Sequence, residues 1–463
     1  MTALPLIRSD AAAPCEAWGP TLTGRFLPEL FAAYERECVR YAVLRNAERW
    51  PGDFGKDIDL VVHPRDLRRH DAIVRRMCEA WGLVPVIRAS RGGHWMYYLM
   101  RIGDGEAIEA VYLDVRVRLS HMELEYLPVE VVLEDQRHER GVRTPSLAAE
   151  ALALALHCLF DKGAVRADYR ARLAELLAVA GDAFRRLAER ELGPGFGELL
   201  AGVVDDPDRL PVVRRRAAGA ILVRRPGTLI RHLRARTGVL LDRARARLRP
   251  PGRLVILLGP DGAGKTTLST RVCERFAGTR LKVSSVYLGA QKPLLPTRRW
   301  SQKIRKRLRP AGTAKVVKDV NRKQRLRGLV HIMADKWLRY VVQVRPRLVR
   351  GETVVLDRYF YDLRTFAHPL VRRSWVESAI MRCIPEPALA FSIVGDPGMI
   401  TARKHELTVA ETTRQLACYR GVSRWVRNFH EVPADGVLPT VVDAIATRVA
   451  ALQSGDAVRT PEG

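Results

Sequence analysis

The chain has 463 residues, which is too long for one ordinary domain and suits two or three. Hydrophobic residues make up 47% and charged residues 28%, so the composition excludes collagen-like, fibrous and wholly disordered proteins. The chain carries 78 lysines and arginines against 51 acidic residues, a formal net charge of +27. Such an excess of positive charge indicates an anionic partner or substrate.

The positive charge is concentrated in two blocks. Residues 209–253 contain fourteen arginines and one acid, Asp242. Residues 292–327 contain fourteen lysines and arginines and one acid, Asp319. Because each block contributes +13, the rest of the chain is nearly neutral. The charge therefore predicts two local regions that face anions.

Cysteine usage and hydropathy favour a cytoplasmic protein. The seven cysteines are scattered without any Cys-x-x-Cys pair, which argues against a zinc site or a disulfide framework and favours a reducing compartment. The first residues lack the long apolar core of a secretory signal. Apolar runs fall well short of the roughly 18–20 residues that cross a bilayer, so we expect no membrane-spanning segment.

The first 195 residues are predicted to form an α+β domain with a helical extension. Apolar runs predict strands, and helical spacing predicts a helix over 66–81. A long helix is predicted from Pro145 and Ser146 through Asp161, and Gly193-Pro-Gly195 ends the helical run. The predicted strands are Tyr41–Leu44, Ile58–Val62, Trp95–Met100 and Ala110–Val117.

The rest of the chain divides into an arginine-rich helical bridge at 196–252 and an α/β domain at 253–453. Pro250-Pro-Gly252 cannot continue a helix and marks the boundary between them. Short apolar runs at 253–258, 283–288, 353–356 and 388–394 alternate with helical segments. This alternation predicts a parallel sheet with helices on both faces. Residues 454–463 are expected to form a flexible tail.

A phosphate-binding loop follows the first apolar strand of the α/β domain. Gly259–Thr266 fits the pattern GxxxxGK[ST] and precedes a helix-compatible segment. In such a loop, Lys265 reaches the β- and γ-phosphates, and the Thr266 hydroxyl binds Mg²⁺. A glycine-rich turn with a purely structural role would need neither side chain. ATP and Mg²⁺ are therefore the expected cofactors, and the predicted nucleotide-binding residues are Gly259, Asp261, Gly262, Ala263, Gly264, Lys265, Thr266 and Thr267.

Two segments resemble the thymidylate kinase family. The loop Gly-Pro-Asp-Gly-Ala-Gly-Lys-Thr-Thr has an acidic residue, Asp261, where that family commonly has one. The strand Val354-Val-Leu-Asp-Arg-Tyr359 resembles the family's strand ending in Asp-Arg-Tyr. The resemblance implies that Arg358 helps to hold the acceptor phosphate and that Asp357 lies close to the magnesium ion and the acceptor.

A third segment is similar to the lid that follows the fourth strand in these kinases. It comprises Gly395-Asp-Pro397, residues 402–407 and Tyr419-Arg420. The resemblance, which covers 253–420, implies that Arg403, or else Lys404, stabilises the transferred phosphoryl group. An amphipathic helix with its charges in solvent is the alternative. The predicted catalytic residues are Lys265, Asp357, Arg358 and Arg403.

The stretch expected to bind the acceptor differs from the corresponding stretch of a thymidine-specific enzyme. Such an enzyme would place an aromatic residue and an arginine around the base after its second strand. Here the basic block 292–327 occupies that stretch, followed by a predicted helix over 331–345 with Trp337 and Tyr340. We therefore expect phosphoryl transfer to a nucleoside monophosphate or to another anionic or glycan-linked acceptor. Asp335 and Lys336 are expected to form a surface pair, and a pair that faces the acceptor is the alternative.

Three aspartates in the first domain suggest a second site. Asp57 and Asp59 lie on one face of a predicted strand, and Asp114 lies on another strand. Paired carboxylates favour a divalent cation, although a solvent-facing pair at a strand edge is the alternative. The arrangement over 39–172 resembles the minimal nucleotidyltransferase fold, which implies that these aspartates hold metal ions. His94 is expected to be a loop residue.

Three functions remain open at this point. The first is an ATP-dependent kinase. The second is a nucleotidyltransferase that uses Asp57, Asp59 and Asp114, with a regulatory P-loop domain. The third is a non-catalytic, nucleotide-gated adaptor. For the basic blocks we rank an anionic small-molecule, glycan or lipid-linked acceptor first, an anionic membrane surface second and nucleic acid third. Spacing over Arg231–Arg247 suits an interfacial helix or a helix packed between domains, and a dimer is compatible with the sequence.

Overall fold

The chain forms two compact units. The computed structural model describes residues 18–90, 92–103, 105–289, 322–365, 378, 381–404 and 406–454. The first unit comprises the described residues up to Arg101 together with Glu109–Asp242, and the second comprises Ile102–Ile108 and Arg243–Gln453. Each unit has its own sheet and hydrophobic core.

The first unit is built on a mixed five-stranded sheet in the order β1-β2-β5-β4-β3. Neighbouring strands pair antiparallel except for β2 and β5, which are parallel. Two small hairpins follow, β6 with β7 and β8 with β9. The strands are β1 (Tyr41–Val43), β2 (Ile58–Val62), β3 (Val84–Ser90), β4 (His94–Arg101), β5 (Glu109–Arg116), β6 (Leu119–His121), β7 (Leu124–Leu127), β8 (Arg137–Glu139) and β9 (Val142–Thr144).

Helices complete two cores in this unit. The helices are α1 (Leu22–Arg36), α2 (Leu67–Ala80), α3 (Val129–Leu133), α4 (Leu147–His157), α5 (Ala167–Leu192), α6 (Phe196–Asp205), α7 (Leu210–Arg224) and α8 (Gly227–Leu248). Helices α1 and α2 share one core with the sheet. Helix α4 is capped by the Ser146 hydroxyl and is buried from Ala148 to His157, because its alanines and leucines leave no polar face.

The predicted bridge is only partly separate from the first unit. Buried side chains of α6 and α7, among them Leu200, Val213 and Ile221, belong to the same core as α4 and α5. The boundary between the two compact units falls inside α8, between Asp242 and Arg243.

The second unit confirms the predicted α/β fold. Its five strands are all parallel, in the order β11-β12-β10-β13-β14. Helices flank the sheet, which explains why β10 and β12 are buried throughout. The strands are β10 (Leu254–Leu258), β11 (Val283–Tyr287), β12 (Thr353–Asp357), β13 (Leu389–Val394) and β14 (Phe429–Pro433). The helices are α9 (Lys265–Phe276), α10 (Arg322–Arg339), α11 (Arg345–Val349), α12 (Pro397–Arg403), α13 (Val409–Arg420) and α14 (Leu438–Ser454).

The central strand β10 marks the position of the site. In a parallel sheet all carboxyl ends share one edge, and ligands bind where the strand order reverses. Here β10 lies between β12 and β13, with Leu257 opposite Asp357 and Leu258 opposite Ser392. The phosphate-binding motif begins directly after β10, so it lies at this edge beside the end of β12.

Most of the second basic block and nearly all of the predicted tail are not described by the structure. Residues 292–321 of the second basic block lie outside the described residues, as does the tail at 455–463. Among the helices that the structure describes, none combines the length and the apolar character needed to cross a membrane.

Candidate functional site

The phosphate-binding motif forms the turn between β10 and α9. Gly262 and Gly264 have φ values of +93° and +88°, which side-chain-bearing residues rarely adopt. A β-carbon on Gly262 would also lie 2.6 Å from the carbonyl oxygen of Ile400. The turn leads into the N-terminus of a twelve-residue helix, where unpaired backbone N–H groups favour phosphate oxygens.

Lys265 is a buried cation held by the loop itself. Its ammonium group donates hydrogen bonds to the carbonyl oxygens of Gly259 at 2.9 Å and Pro260 at 2.6 Å. Its exposed fraction is 6%. Burial, and then the nearby Arg358 guanidinium, lower the pKa of Lys265 to about 8. A phosphate group at the loop would give this lysine the anionic partner that the loop carbonyls do not supply.

Thr266 and Asp357, the two predicted magnesium ligands, contact each other. The Thr266 hydroxyl donates a hydrogen bond to one carboxylate oxygen of Asp357. Asp357 is buried, and its other oxygen, Oδ1, has no hydrogen-bond partner among the described residues. An unpartnered buried carboxylate oxygen beside a hydroxyl suits a hard divalent cation, because Mg²⁺ prefers oxygen ligands. These two residues therefore fit a magnesium site.

Asp261 and Arg358 form an ion pair across the same edge. Lys265 Nζ lies 4.0 Å from the same carboxylate oxygen, Asp261 Oδ1. Arg358 has a φ of +77°, an uncommon value for a residue with a side chain. Such backbone strain is found most often at functional positions. The structure thus brings Asp261, Lys265 and Arg358 together at the loop.

The remaining loop residues have different surroundings. Ala263 is buried, and its β-carbon would lie 3.3 Å from a β-carbon placed on Gly259, so the two residues pack closely. Thr267 is exposed in the first turn of α9. Its predicted role in nucleotide binding stays a prediction.

The two candidate lid residues, Arg403 and Lys404, have different neighbours, and Lys404 lies close to the phosphate-binding loop. Both residues are exposed at the end of α12. The Arg403 guanidinium donates a hydrogen bond to the carbonyl oxygen of Ala434 at 2.9 Å. A β-carbon on Gly262 would lie 3.3 Å from the β-carbon of Lys404, and Lys404 Nζ pairs with Glu406 at 3.2 Å. The catalytic role predicted for Arg403, or else for Lys404, stays a prediction.

A buried polar network beside the site was not predicted. Lys336 Nζ donates to the carbonyl oxygen of Tyr359 at 2.5 Å and pairs with Asp362 at 3.3 Å. The Tyr419 hydroxyl donates to the other oxygen of Asp362 at 3.1 Å. The expectation of a surface pair at 335–336 is wrong: the exposed fractions are 0% for Asp335 and 3% for Lys336. The signal available in the sequence was the repeated aspartate of Asp357-Arg-Tyr-Phe-Tyr-Asp362.

The first unit places two of its three predicted aspartates side by side. Asp59 on β2 and Asp114 on β5 are directly opposite in register. Arg45 pairs with Asp59, and His94 Nε2 lies 2.6 Å from Asp114. Asp57 precedes β2 by one residue. His94 begins β4, so its expected loop position is wrong.

Asp59 and Asp114 are therefore paired with cationic or basic groups of the same unit. Within the described ranges, no group of three or more His, Cys, Asp or Glu residues is arranged to hold a metal ion. The roles of Asp57, Asp59 and Asp114 as metal ligands stay predictions.

Asp161 is the centre of a second polar cluster in the first unit. It accepts hydrogen bonds from Arg116 at 3.1 Å and the Tyr126 hydroxyl at 3.1 Å, and it contacts Nδ1 of His121 at 3.2 Å and of His157 at 2.8 Å. Burial alone would raise the pKa of Asp161, but hydrogen bonds with His121 and His157 and the Arg116 charge hold that pKa well below its usual range. A small pocket lined by Arg116, Tyr126 and His157 lies beside this cluster.

Part of the chain is similar to thymidylate kinases. The chain is 33% identical over 115 residues to the thymidylate kinases of three strains of Xanthomonas oryzae pv. oryzae, PXO99A, MAFF 311018 and KACC10331. The match covers 24% of this chain and 43% of those kinases, so the chain spans less than half the length of these curated relatives. No protein-family model matches the chain.

The solved structure of thymidylate kinase from Ehrlichia chaffeensis is also similar to part of the chain. It aligns with a TM-score of 0.29 and 15% identity, covering 43% of this chain and 98% of the other. The sequence similarity supports a thymidylate kinase-like P-loop domain in the chain. The nucleotidyltransferase resemblance of 39–172 stays a prediction.

Proposed function

We propose that this protein is an ATP- and Mg²⁺-dependent phosphotransferase of the thymidylate kinase-like type. The proposal rests on the contacts between the phosphate-binding loop and the end of β12. Thr266 and Asp357 contact each other, and Asp261 pairs with Arg358 at the same edge as Lys265. The partial similarity to thymidylate kinases supports the same reaction class.

The residues of the loop act by binding and neutralising the nucleotide. Backbone N–H groups of the glycine-rich turn surround phosphate oxygens, and Lys265 exchanges its loop carbonyl partners for the β- and γ-phosphates. Thr266 and Asp357 would hold Mg²⁺, which neutralises phosphate charge when it is bound. Since phosphoryl transfer needs little covalent help from the protein, this positioning supplies most of the catalysis.

Arg358 orients the acceptor in this proposal. Its guanidinium can donate two parallel hydrogen bonds to a phosphate or carboxylate, whereas a lysine would act only as a point charge. Asp261 holds the guanidinium in place before the acceptor binds. Lys404, or Arg403, would then stabilise the charge of the transferred group from the lid side. The acceptor class is a nucleoside monophosphate or another anionic or glycan-linked molecule.

The proposal is tested by removing the loop lysine. Lys265→Ala should lower ATP turnover by roughly 10²–10³-fold, because one preorganised charge on the transition state is lost. Lys282→Ala is the matched control, since Lys282 is exposed in the same unit, just before β11. Turnover should be measured with purified full-length chains whose circular dichroism spectra match. Equal turnover in wild type and Lys265→Ala would rule out the P-loop as the working site.

A further inference from the structure

Helix α8 presents its leucines to solvent. Five large apolar side chains of its first-unit portion are exposed: Leu229 by 43%, Ile230 by 58%, Leu233 by 53%, Leu240 by 64% and Leu241 by 59%. An α-helix turns by about 100° per residue, so these five side chains fall within an arc of about 120°. We refer to these five residues as the apolar face of α8.

The opposite side of α8 is the side that packs on the first unit. Its buried residues Thr228, Ala235 and Gly238 are small. Between them, His232 Nδ1 contacts the carbonyl oxygen of Met122 at 2.8 Å, and Arg231 pairs with Glu125 at 3.4 Å. A surface helix ordinarily buries its large apolar residues and exposes its polar ones. Helix α8 instead buries small residues and leaves its large apolar residues exposed.

Arginines border the apolar face. At the same rotation per residue, exposed Arg234 and Arg236 lie at its two edges. The surrounding block 209–253 contains fourteen arginines and a single acid, Asp242. An arginine beside an apolar stripe can lay its methylene groups along the apolar region while its guanidinium reaches anionic headgroups.

We propose that the apolar face of α8 docks onto the surface of an anionic lipid bilayer. Lipid docking of this kind requires an apolar face that enters the interface and a basic flank that is attracted by anionic headgroups, and α8 carries both. A second copy of this chain is disfavoured, because pairing two such faces would bring their bordering arginines together. Nucleic acid is disfavoured, because exposed leucines and isoleucine give no contact with phosphates and α8 has no aromatic residue for base stacking.

The test is sedimentation of the full chain with lipid vesicles. Wild type should bind phosphatidylglycerol-containing vesicles much more tightly than pure phosphatidylcholine vesicles. Leu233→Asn/Leu240→Asn should lower binding at least tenfold. Arg234→Ala/Arg236→Ala should lower it about 25-fold on anionic vesicles only, since each basic residue near such a surface contributes roughly a fivefold factor.

Matched controls separate the surface from general effects. Val179→Asn changes another exposed apolar residue, and Arg65→Ala/Arg68→Ala removes the same charge from exposed positions elsewhere in the first unit. Both controls should bind vesicles as wild type does. Each of three results would overturn the proposal: no vesicle binding by wild type, binding unaffected by the leucine changes, or a wild-type dimer that Leu233→Asn/Leu240→Asn dissociates. Binding to duplex DNA that depends on the arginines, without vesicle binding, would assign the face to nucleic acid instead.

Discussion

The Thr266 hydroxyl donates a hydrogen bond to the carboxylate of Asp357, a residue 91 positions further along the chain. Thr266 lies in the first turn of the helix after β10, and Asp357 ends β12. The parallel pairing of these two strands brings them together, with Leu257 opposite Asp357. This contact places the phosphate-binding loop and the Asp-Arg-Tyr segment in one site.

The side-chain oxygens of Thr266 and Asp357 should determine how much Mg²⁺ the protein needs for turnover. Thr266→Ala removes a hydroxyl ligand and Asp357→Asn replaces a carboxylate by a neutral amide, so the Mg²⁺ concentration for half-maximal turnover should rise at least tenfold in each variant. Thr266→Ser keeps the hydroxyl and should stay close to wild type. Magnesium titrations at saturating ATP measure the effect. An unchanged titration curve for Thr266→Ala would contradict this assignment.

Two substitutions of Arg358 should distinguish the strain of its backbone from the function of its side chain. Arg358→Ala and Arg358→Gly both remove the guanidinium, so both should raise the KM for the acceptor to a similar extent. Glycine accepts the φ of +77° without steric cost, so the glycine variant should be more stable to unfolding than the alanine variant by about 1–2 kcal/mol. Urea denaturation compares the two variants. Equal stabilities would show that the backbone here is unstrained.

Lys265 should make nucleotide binding depend on pH. Its pKa is lowered to about 8 in the nucleotide-free protein, so it loses its charge as the pH rises through that value. ATP binds the charged form, and its Kd should therefore increase from pH 7 to pH 9, by up to about tenfold one unit above the pKa. Lys265→Arg remains charged and should flatten the profile. Fluorescent-nucleotide titrations across this range provide the measurement, and parallel profiles for the two proteins would refute the assignment.

The buried pair of Lys336 and Asp362 should matter for stability. Lys336→Met leaves the Asp362 carboxylate buried with its Tyr419 hydrogen bond but without its cation. Breaking such a pair costs about 3–5 kcal/mol of unfolding free energy. Urea denaturation followed by tryptophan fluorescence measures this loss, in the transition that added ATP shifts to higher urea. Exposed Lys282→Met should change stability by less than about 0.5 kcal/mol, and a similarly small change in Lys336→Met would contradict the role of the pair.

Much of the second unit follows from local pattern. The strands predicted at 253–258, 283–288, 353–356 and 388–394 agree with β10, β11, β12 and β13 to within one residue at each end. Of these, β10 and β12 are buried throughout, and a buried parallel strand reads as a short apolar run. The phosphate-binding loop is recognisable because its glycines, lysine and threonine are each required at fixed spacing.

The sequence pattern does not show which polar residues become buried. Asp335 and Lys336 have the appearance of an exposed helical pair, and only the return of the chain through Asp362 and Tyr419 encloses Lys336. His94 was expected in a loop because glycines precede it, but its pairing with Asp114 depends on the antiparallel register of β4 and β5. Such contacts join residues that are distant in sequence, so the local spacing of apolar and polar residues does not predict them.

The most direct test of the proposed kinase activity is to measure whether the γ-phosphate or the α-phosphate of ATP is transferred to an acceptor. Full-length protein should be incubated in parallel with γ-labelled and α-labelled ATP, Mg²⁺ and a panel of nucleoside monophosphates, sugars and lipid-linked glycans. We predict that the γ-label moves to one acceptor class in wild type and Lys282→Ala but not in Lys265→Ala, while the α-label stays on the adenine nucleotide. Transfer of the α-label, or γ-transfer undiminished in Lys265→Ala, would contradict the account.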